Sequence, residues 1–198
     1  MSHADDLPPS DWITRFAPLL RSLAQPSHAP LQALDLACGS GRHTRWLLTQ
    51  GCHVTAVDRD AAALARLADR VGPAGTTMLT CLEADLENAP WPLPGRSFDV
   101  VVVTNYLWRP LLPRIVESVA IGGVLLYETF AQGNQTVGRP ARPEFLLAPG
   151  ELLQACAGLR VIAYEDGYLH TPPRFVQRIA VVRERPWSPD APPRYPLE

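Results

Sequence analysis

The stretch running from Ala33 to Asp60 constrains this chain more than any other. It reads Ala-Leu-Asp-Leu-Ala-Cys-Gly-Ser-Gly-Arg-His-Thr, continues through an amphipathic segment, and closes on Val-Thr-Ala-Val-Asp-Arg-Asp. The apolar run Leu34–Ala37 predicts a buried strand with Asp35 inside it. Gly39 and Gly41 then allow a tight turn and close backbone approach to a ligand that a Cβ would exclude. From Gly41 to about Gln50 the apolar spacing is helical, with Trp46, Leu47 and Leu48 on the core side, and Cys52–Val57 predicts the next strand. A strand-turn-helix-strand unit of this kind belongs to a doubly wound sheet. There Asp58 falls beside the turn at the carboxyl edge, where a carboxylate can hold ribose hydroxyls. A nucleoside cofactor site is the economical reading.

The turn itself discriminates between cofactors. A dinucleotide fingerprint has a third glycine three residues after the second, and here that position is Thr44, which disfavours an NAD-dependent oxidoreductase. Positions 35–41 instead follow acidic-x-(Gly/Ala)-x-Gly-x-Gly through Asp35, Ala37, Gly39 and Gly41. This resembles motif I of the class I S-adenosylmethionine (SAM) methyltransferases, with alanine where glycine is commoner. The resemblance covers residues 31–184. It implies ribose binding by Asp58, with Arg59 beside it, and adenine binding by Asp85 and the Leu86 amide. It also implies that Asn105 and Tyr106 stand where methyl donor meets acceptor. The short N-terminal helix and the Gly-Arg-His-Thr turn look most like small-molecule enzymes of the tellurite-resistance type.

Asp35 has two readings, a brace for the backbone of the turn or a partner for the amino group of the methionine moiety; an unpartnered buried carboxylate is too costly to stand alone. Arg15 and Arg42 are candidates for the methionine carboxylate, since a guanidinium fork matches that anion. His43 is placed to line the cofactor pocket. Tyr106 is the first candidate for contact with the acceptor, followed by Glu128 and His170. The excursion 130–149 carries Asn134 and Arg139; long loops within compact domains are functional lids or solvated segments. If it is a lid, Arg139 and Arg109 would bind an anionic acceptor and Asn134 would add a hydrogen bond.

The rest of the chain fits an α/β fold: a three-layer Rossmann-like sandwich whose seven-stranded, mostly parallel sheet carries one antiparallel strand. Ser10 caps a short helix, and Pro18 ends it or opens the next. Asp60 caps a helix over Ala61–Val71 that Gly72–Gly75 stops, and Thr76–Leu82 is the third strand. Phe98–Thr104, with four consecutive valines, is the clearest buried strand. A helix over Leu111–Val119 follows, and Gly122-Gly123 turns into a strand over Val124–Thr129. A helix over Gly150–Ala157 and two strands near Leu159–Glu165 and Arg174–Arg183 complete the domain. The expected division is a helical extension over 1–30 (with residues 1–9 a mobile lead-in), the domain over 31–185, and a proline-rich strap or disordered tail over 186–198.

Composition narrows the chemistry further. All 18 basic residues are arginine, which excludes a lysine Schiff base and a P-loop lysine. At a net charge of −2 with scattered arginines, no nucleic-acid footprint is expected. Cys38, Cys52, Cys81 and Cys156 lack metal or disulfide spacing, so no metal site is expected and the thiols suit a cytoplasmic protein. No apolar run approaches a membrane span. The reading is a SAM-dependent methyltransferase acting on a small-molecule acceptor by in-line displacement, releasing S-adenosylhomocysteine (SAH), as monomer or homodimer. A SAM-binding regulatory module without transfer activity is the alternative.

Overall fold

A computed structural model describes residues 7–24 and 29–197; the first six residues of the lead-in and part of the 25–30 link lie outside it. Seven strands are built in chain order: β1 (Gln32–Leu36), β2 (His53–Asp58), β3 (Leu79–Glu83), β4 (Phe98–Thr104), β5 (Val119–Phe130), β6 (Arg160–His170) and β7 (Pro173–Val182). They form one sheet in the order β3-β2-β1-β4-β5-β7-β6. β1 pairs in parallel with both β2 and β4, and β7 runs antiparallel between β5 and β6. The expected sheet, with one reversed strand, is therefore present. Because β1 is flanked by β2 on one side and β4 on the other, the chain crosses over in opposite directions from it. A crevice opens at the carboxyl ends of these strands.

Strand alternation sends the two sheet faces into separate cores. Leu34, Leu36, Val101, Val103, Leu125, Tyr127, Ile179 and Val181 face α5 (Leu112–Glu117) and α6 (Glu151–Ala155). Val54, Val100, Val102, Leu126 and Ala180 face the opposite layer, with Leu47 of α3 (Arg42–Thr49). The N-terminal helices α1 (Asp11–Thr14) and α2 (Ala17–Leu23) belong to this second core. Trp12, Ile13, Phe16, Leu19 and Leu20 are all buried in it. At roughly 1.5–3 kcal/mol per fully buried large apolar side chain, this extension is part of the domain's stability. The Ser10 hydroxyl accepts from the Trp12 amide as the expected cap, and Pro18 opens α2. The tail returns across the same face, where the Tyr195 hydroxyl donates to Glu184 at 3.0 Å.

Several boundaries differ from the sequence reading, among them the end of β6, which runs on to His170. Gly72 (φ 69°) breaks α4 as expected, but the chain re-enters a helical turn, so α4 spans Ala61–Thr76 and β3 starts only at Leu79. Gly122-Gly123 lies inside β5 and does not precede it. The β4–β5 register shifts between Phe98 and Val100, and a Cβ on Gly123 would stand 2.9 Å from the Phe98 and Asp99 carbonyl oxygens. α5 is shorter than predicted, because a 3₁₀ turn over Arg109–Leu111 takes its first residues and β5 begins at Val119.

Candidate active site

Beyond Leu36 the backbone turns through three left-handed residues, Ala37 (φ 53°), Gly39 (φ 55°) and Gly41 (φ 74°). Alanine keeps the smallest side chain where a left-handed conformation is required. The Cys38 amide donates to Val57 O at 3.0 Å, and the Gly41 amide donates to Cys38 O at 2.9 Å, which closes the turn. The two glycines have different tasks. A Cβ on Gly41 would collide with Leu67 of α4 at 2.5 Å, whereas a Cβ on Gly39 would meet nothing within 4 Å. Gly41 serves helix packing; Gly39 borders open space.

Asp58, at the end of β2, leans onto this turn. Its Oδ2 accepts from the Gly39 amide at 2.7 Å and its Oδ1 from the Asp60 amide at 3.0 Å. A cavity of about 200 Å³ lies beside it, lined among others by Ala37, Asp58, Arg59, Asp85, Leu86 and Tyr106. The structure thus gathers six of the sequence-predicted residues around one space. The buried Tyr106 hydroxyl has no hydrogen-bond partner among the described residues. Burial pushes its pKa above the ordinary range, so it stays protonated and neutral. Asn105, exposed and at φ 53°, donates its amide to Glu128 O at 2.9 Å.

Several expected site residues already have partners within the protein. Asp85 accepts from the Glu87 and Asn88 amides and from Asn88 Nδ2, at 2.9, 3.1 and 2.9 Å. Those bonds, the Asn88 side chain first, hold its carboxyl below the usual range. It braces the loop that presents Leu86. Arg15 pairs with Glu165 at 3.0 Å. Arg109 grips Glu151 at 2.7 Å and the Glu144 and Leu146 carbonyls at 2.8 and 2.9 Å. Asn134 is buried, its Nδ2 donating to Pro140 O and its Oδ1 accepting from the Phe175 amide, while Arg139 is exposed. The excursion is anchored at its ends, where Ala131 bridges to Leu147 and Leu146 and Leu147 are buried, while residues 135–139 and 141–144 are exposed. A run of glycine and proline hid this, because the anchors are single residues without periodicity. His170 is exposed against the Tyr168 ring at 4.9 Å.

Asp35 does not line the cavity. It is 1% exposed, and its Oδ2 accepts from Thr44 Oγ1 at 2.6 Å. The brace reading is the one this geometry supports. Burial raises its pKa to about 7, against the pull of the Thr44 hydrogen bonds. The unfolded chain releases this proton near pH 4 while the folded chain keeps it to about 7. Stability is thus full below about pH 4, falls as pH rises through that window, and stays lowered above it, by on the order of 4 kcal/mol. In Asp35→Asn, whose amide oxygen still accepts from Thr44, that share of the decline should vanish. Denaturation midpoints across pH 4–8 test it: parallel profiles for wild type and variant would reject the assignment.

A second polar cluster lies on the α1 side, missed as a cluster by the sequence reading. His43, 1% exposed, accepts the Ser10 amide at Nε2 (3.1 Å), so Nδ1 carries the proton and donates to Thr104 Oγ1 at 3.2 Å. Burial, aided by Arg42, pushes its pKa down to about 3, so it stays neutral. Glu128 is fully buried, accepting from Ser10 Oγ at 3.0 Å and from Arg178 Nη1 at 3.2 Å. Neither His43 nor Glu128 is free to act as a base. Ser10 offered only a helix-cap signal, and Arg178 only strand alternation.

Residues 33–121 match the methyltransferase domain family. The chain is 32% identical over 136 residues to a malonyl-[acyl-carrier protein] O-methyltransferase from Pectobacterium atrosepticum, covering 61% of this chain and 49% of that protein. It spans about half the length of this curated relative. The fold is similar to TehB from Haemophilus influenzae, with a TM-score of 0.62, 23% identity, and coverage of 78% of this chain and 58% of that one. It is also similar to a SAM-dependent methyltransferase from Mesorhizobium loti, with a TM-score of 0.60, 20% identity, and coverage of 83% and 95%. At these identities the solved structures establish the fold. No helix among the described residues is long and apolar enough to cross a membrane, and no group of three His, Cys, Asp or Glu there could hold a metal ion.

Proposed function

Because residues 33–121 belong to the methyltransferase domain family and the surrounding fold is of the class I SAM-dependent kind, we propose that this chain transfers a methyl group from SAM to a small-molecule acceptor in the cytoplasm. The observation that carries it is the cavity between the ends of β1, β2 and β4, with Ala37 of the glycine turn and Asp58 on its wall. These residues fit the adenosine half of such a cofactor. Asp58 retains lone pairs for ribose hydroxyls, and Leu86, Ala37 and the Tyr106 ring line the wall. Arg42 opens α3 beside the turn and is half-buried; its one described hydrogen bond is a long 3.4 Å contact to Pro8 O. We assign it to the methionine carboxylate. When bound, SAM supplies a methyl group made electrophilic by the attached sulfonium. The protein's part is alignment and exclusion of water, consistent with neutral His43 and neutral Tyr106.

The test is a calorimetric titration with SAM and SAH. Asp58→Ala should lose about 1.5–3 kcal/mol, on the order of tenfold to a hundredfold in affinity. The loss should lie toward the upper end, because Asp58 also holds the Gly39 amide. Wild-type affinity in this variant would remove the site. Release of SAH during a screen of small acceptors tests the transfer itself.

A further inference from the structure

The parallel crossovers β1–β2, β2–β3 and β4–β5 carry α3, α4 and α5, but the crossover from β3 to β4 carries no helix: residues 84–97 form turns only. A crossover between parallel strands is usually a helix that covers the sheet. Here the edge strand β3 is covered on one side alone. Cys81 points to α4, where its Sγ meets Leu64 O, while Thr80 on the opposite face is exposed and Leu82 is half-buried. At the carboxyl end of this uncovered edge lies an open groove of about 740 Å³. Asp60 and Glu83 line it from the strand ends, and Ala89, Pro90 and Pro92 line it from the loop.

The groove adjoins the candidate cofactor cavity, since Arg59, Ala84 and Asp85 line both. At about 200 Å³ the cavity is small beside the roughly 300–1,000 Å³ of small-molecule sites, so a bound nucleoside extends out of it. Its direction follows from the residues already assigned. Asp58 is given to the ribose and Arg42 to the methionine carboxylate. The Ala84 amide donates to Asp58 O at 2.9 Å, so the wall from Ala84 to Glu87 stands next to the ribose acid and is left for the base. Adenine carries the ribose on N9 and its exocyclic amine, N6, at the opposite edge of the ring. That edge points past Asp85 toward the groove. Asp85 holds it only weakly. Oδ1 already accepts from the Glu87 and Asn88 amides and Oδ2 from Asn88 Nδ2. The residue is half-buried, so water competes for the lone pair that remains, and one more hydrogen bond there adds little net affinity.

We propose that the adenine end of this site is open, and that it takes adenosyl ligands enlarged on N6 by alkyl or aryl groups, which lie in the groove against Ala89, Pro90 and Pro92. The proposal rests on the methyl-transfer reading above. It is tested by calorimetry with SAH, N6,N6-dimethyl-SAH and N6-benzyl-SAH. The dimethyl compound has no N–H left to offer Asp85, and the benzyl compound needs the groove. Both should bind wild type within about fivefold of SAH, equivalent to about 1 kcal/mol. Ala89→Trp fills the groove from an exposed position. It should leave SAH affinity within about twofold and weaken the benzyl compound by on the order of tenfold or more. A larger loss for either compound in wild type overturns the proposal, because the amine edge is then held or enclosed. So does a benzyl compound that Ala89→Trp binds as well as wild type does, which would place the ring outside the groove. An equal loss of SAH and of the benzyl compound in Ala89→Trp overturns it too, since the groove would then not be separate from the cofactor's own cavity. A wild-type protein that binds no SAH overturns both the proposal and the methyl-transfer reading. Binding of SAH with rejection of both enlarged compounds overturns the proposal alone.

Discussion

Gly39→Val is expected to give a folded protein with no measurable affinity for SAM. Space on the chain's own side is free, since a Cβ there meets nothing within 4 Å. The cost to folding is the left-handed backbone, φ 55°, which charges a non-glycine residue roughly 1–2 kcal/mol, more for a β-branched one. A domain stabilised by about 5–15 kcal/mol tolerates that. In the proposed binding mode the cofactor does not, because the valine methyls would fill the open space that Gly39 borders beside the turn. Distortion of the turn would also pull the Gly39 amide away from Asp58, now 2.7 Å apart. Gly41→Val should fail differently. Its Cβ would strike Leu67 at 2.5 Å, so the first loss is the seat of α4, read as a lowered melting temperature. Calorimetry paired with thermal denaturation separates the two. Normal SAM binding by folded Gly39→Val would show that the turn is not the binding loop.

That contrast marks how far the sequence could be read. Gly39, Gly41 and Asp58 were legible because local backbone chemistry dictates a glycine turn and an acid at a strand end. The four consecutive valines of β4 declared a strand buried on both faces. What was not legible depends on contacts between distant residues. Gly41 is required by Leu67, and nothing near either residue announces the other. Arg15, Arg109 and Asn134 carried the right chemistry for a ligand, but Glu165, Glu151 and the Phe175 amide reach them first. Asp85, expected to hold adenine, lines the cavity but is also engaged by Asn88 and the backbone of its own turn. A polar residue within three positions of such a carboxylate was a signal the sequence did contain. No local pattern could tell that Ser10 would bring together His43 and Glu128, 33 and 118 residues away.

The same cluster sets the second large effect. Glu128→Ala should lower stability by about 3–5 kcal/mol, the usual cost of breaking a buried pair from one side. In a domain of this size that is a fall in melting temperature of roughly 6–20 °C. Glu128 has 0% exposure, and its carboxylate oxygens serve Ser10, Arg178 and Arg174 together. Removing it leaves Arg174, 20% exposed, without its counter-charge and Arg178, 16% exposed, with Glu165 alone. It also frees Ser10, which caps α1. Arg178 lies over the Trp12 ring at 5.0 Å, so its displacement would loosen the largest buried side chain on that face. Glu128→Gln keeps an acceptor for Ser10 and the shape of the side chain, and should lose less. Had Glu128 been a base for the acceptor, both variants would instead lose turnover at nearly unchanged melting temperature. Thermal denaturation of the two variants distinguishes these outcomes. A melting temperature within a degree of wild type in Glu128→Ala would mean that the arginines are balanced by some other group.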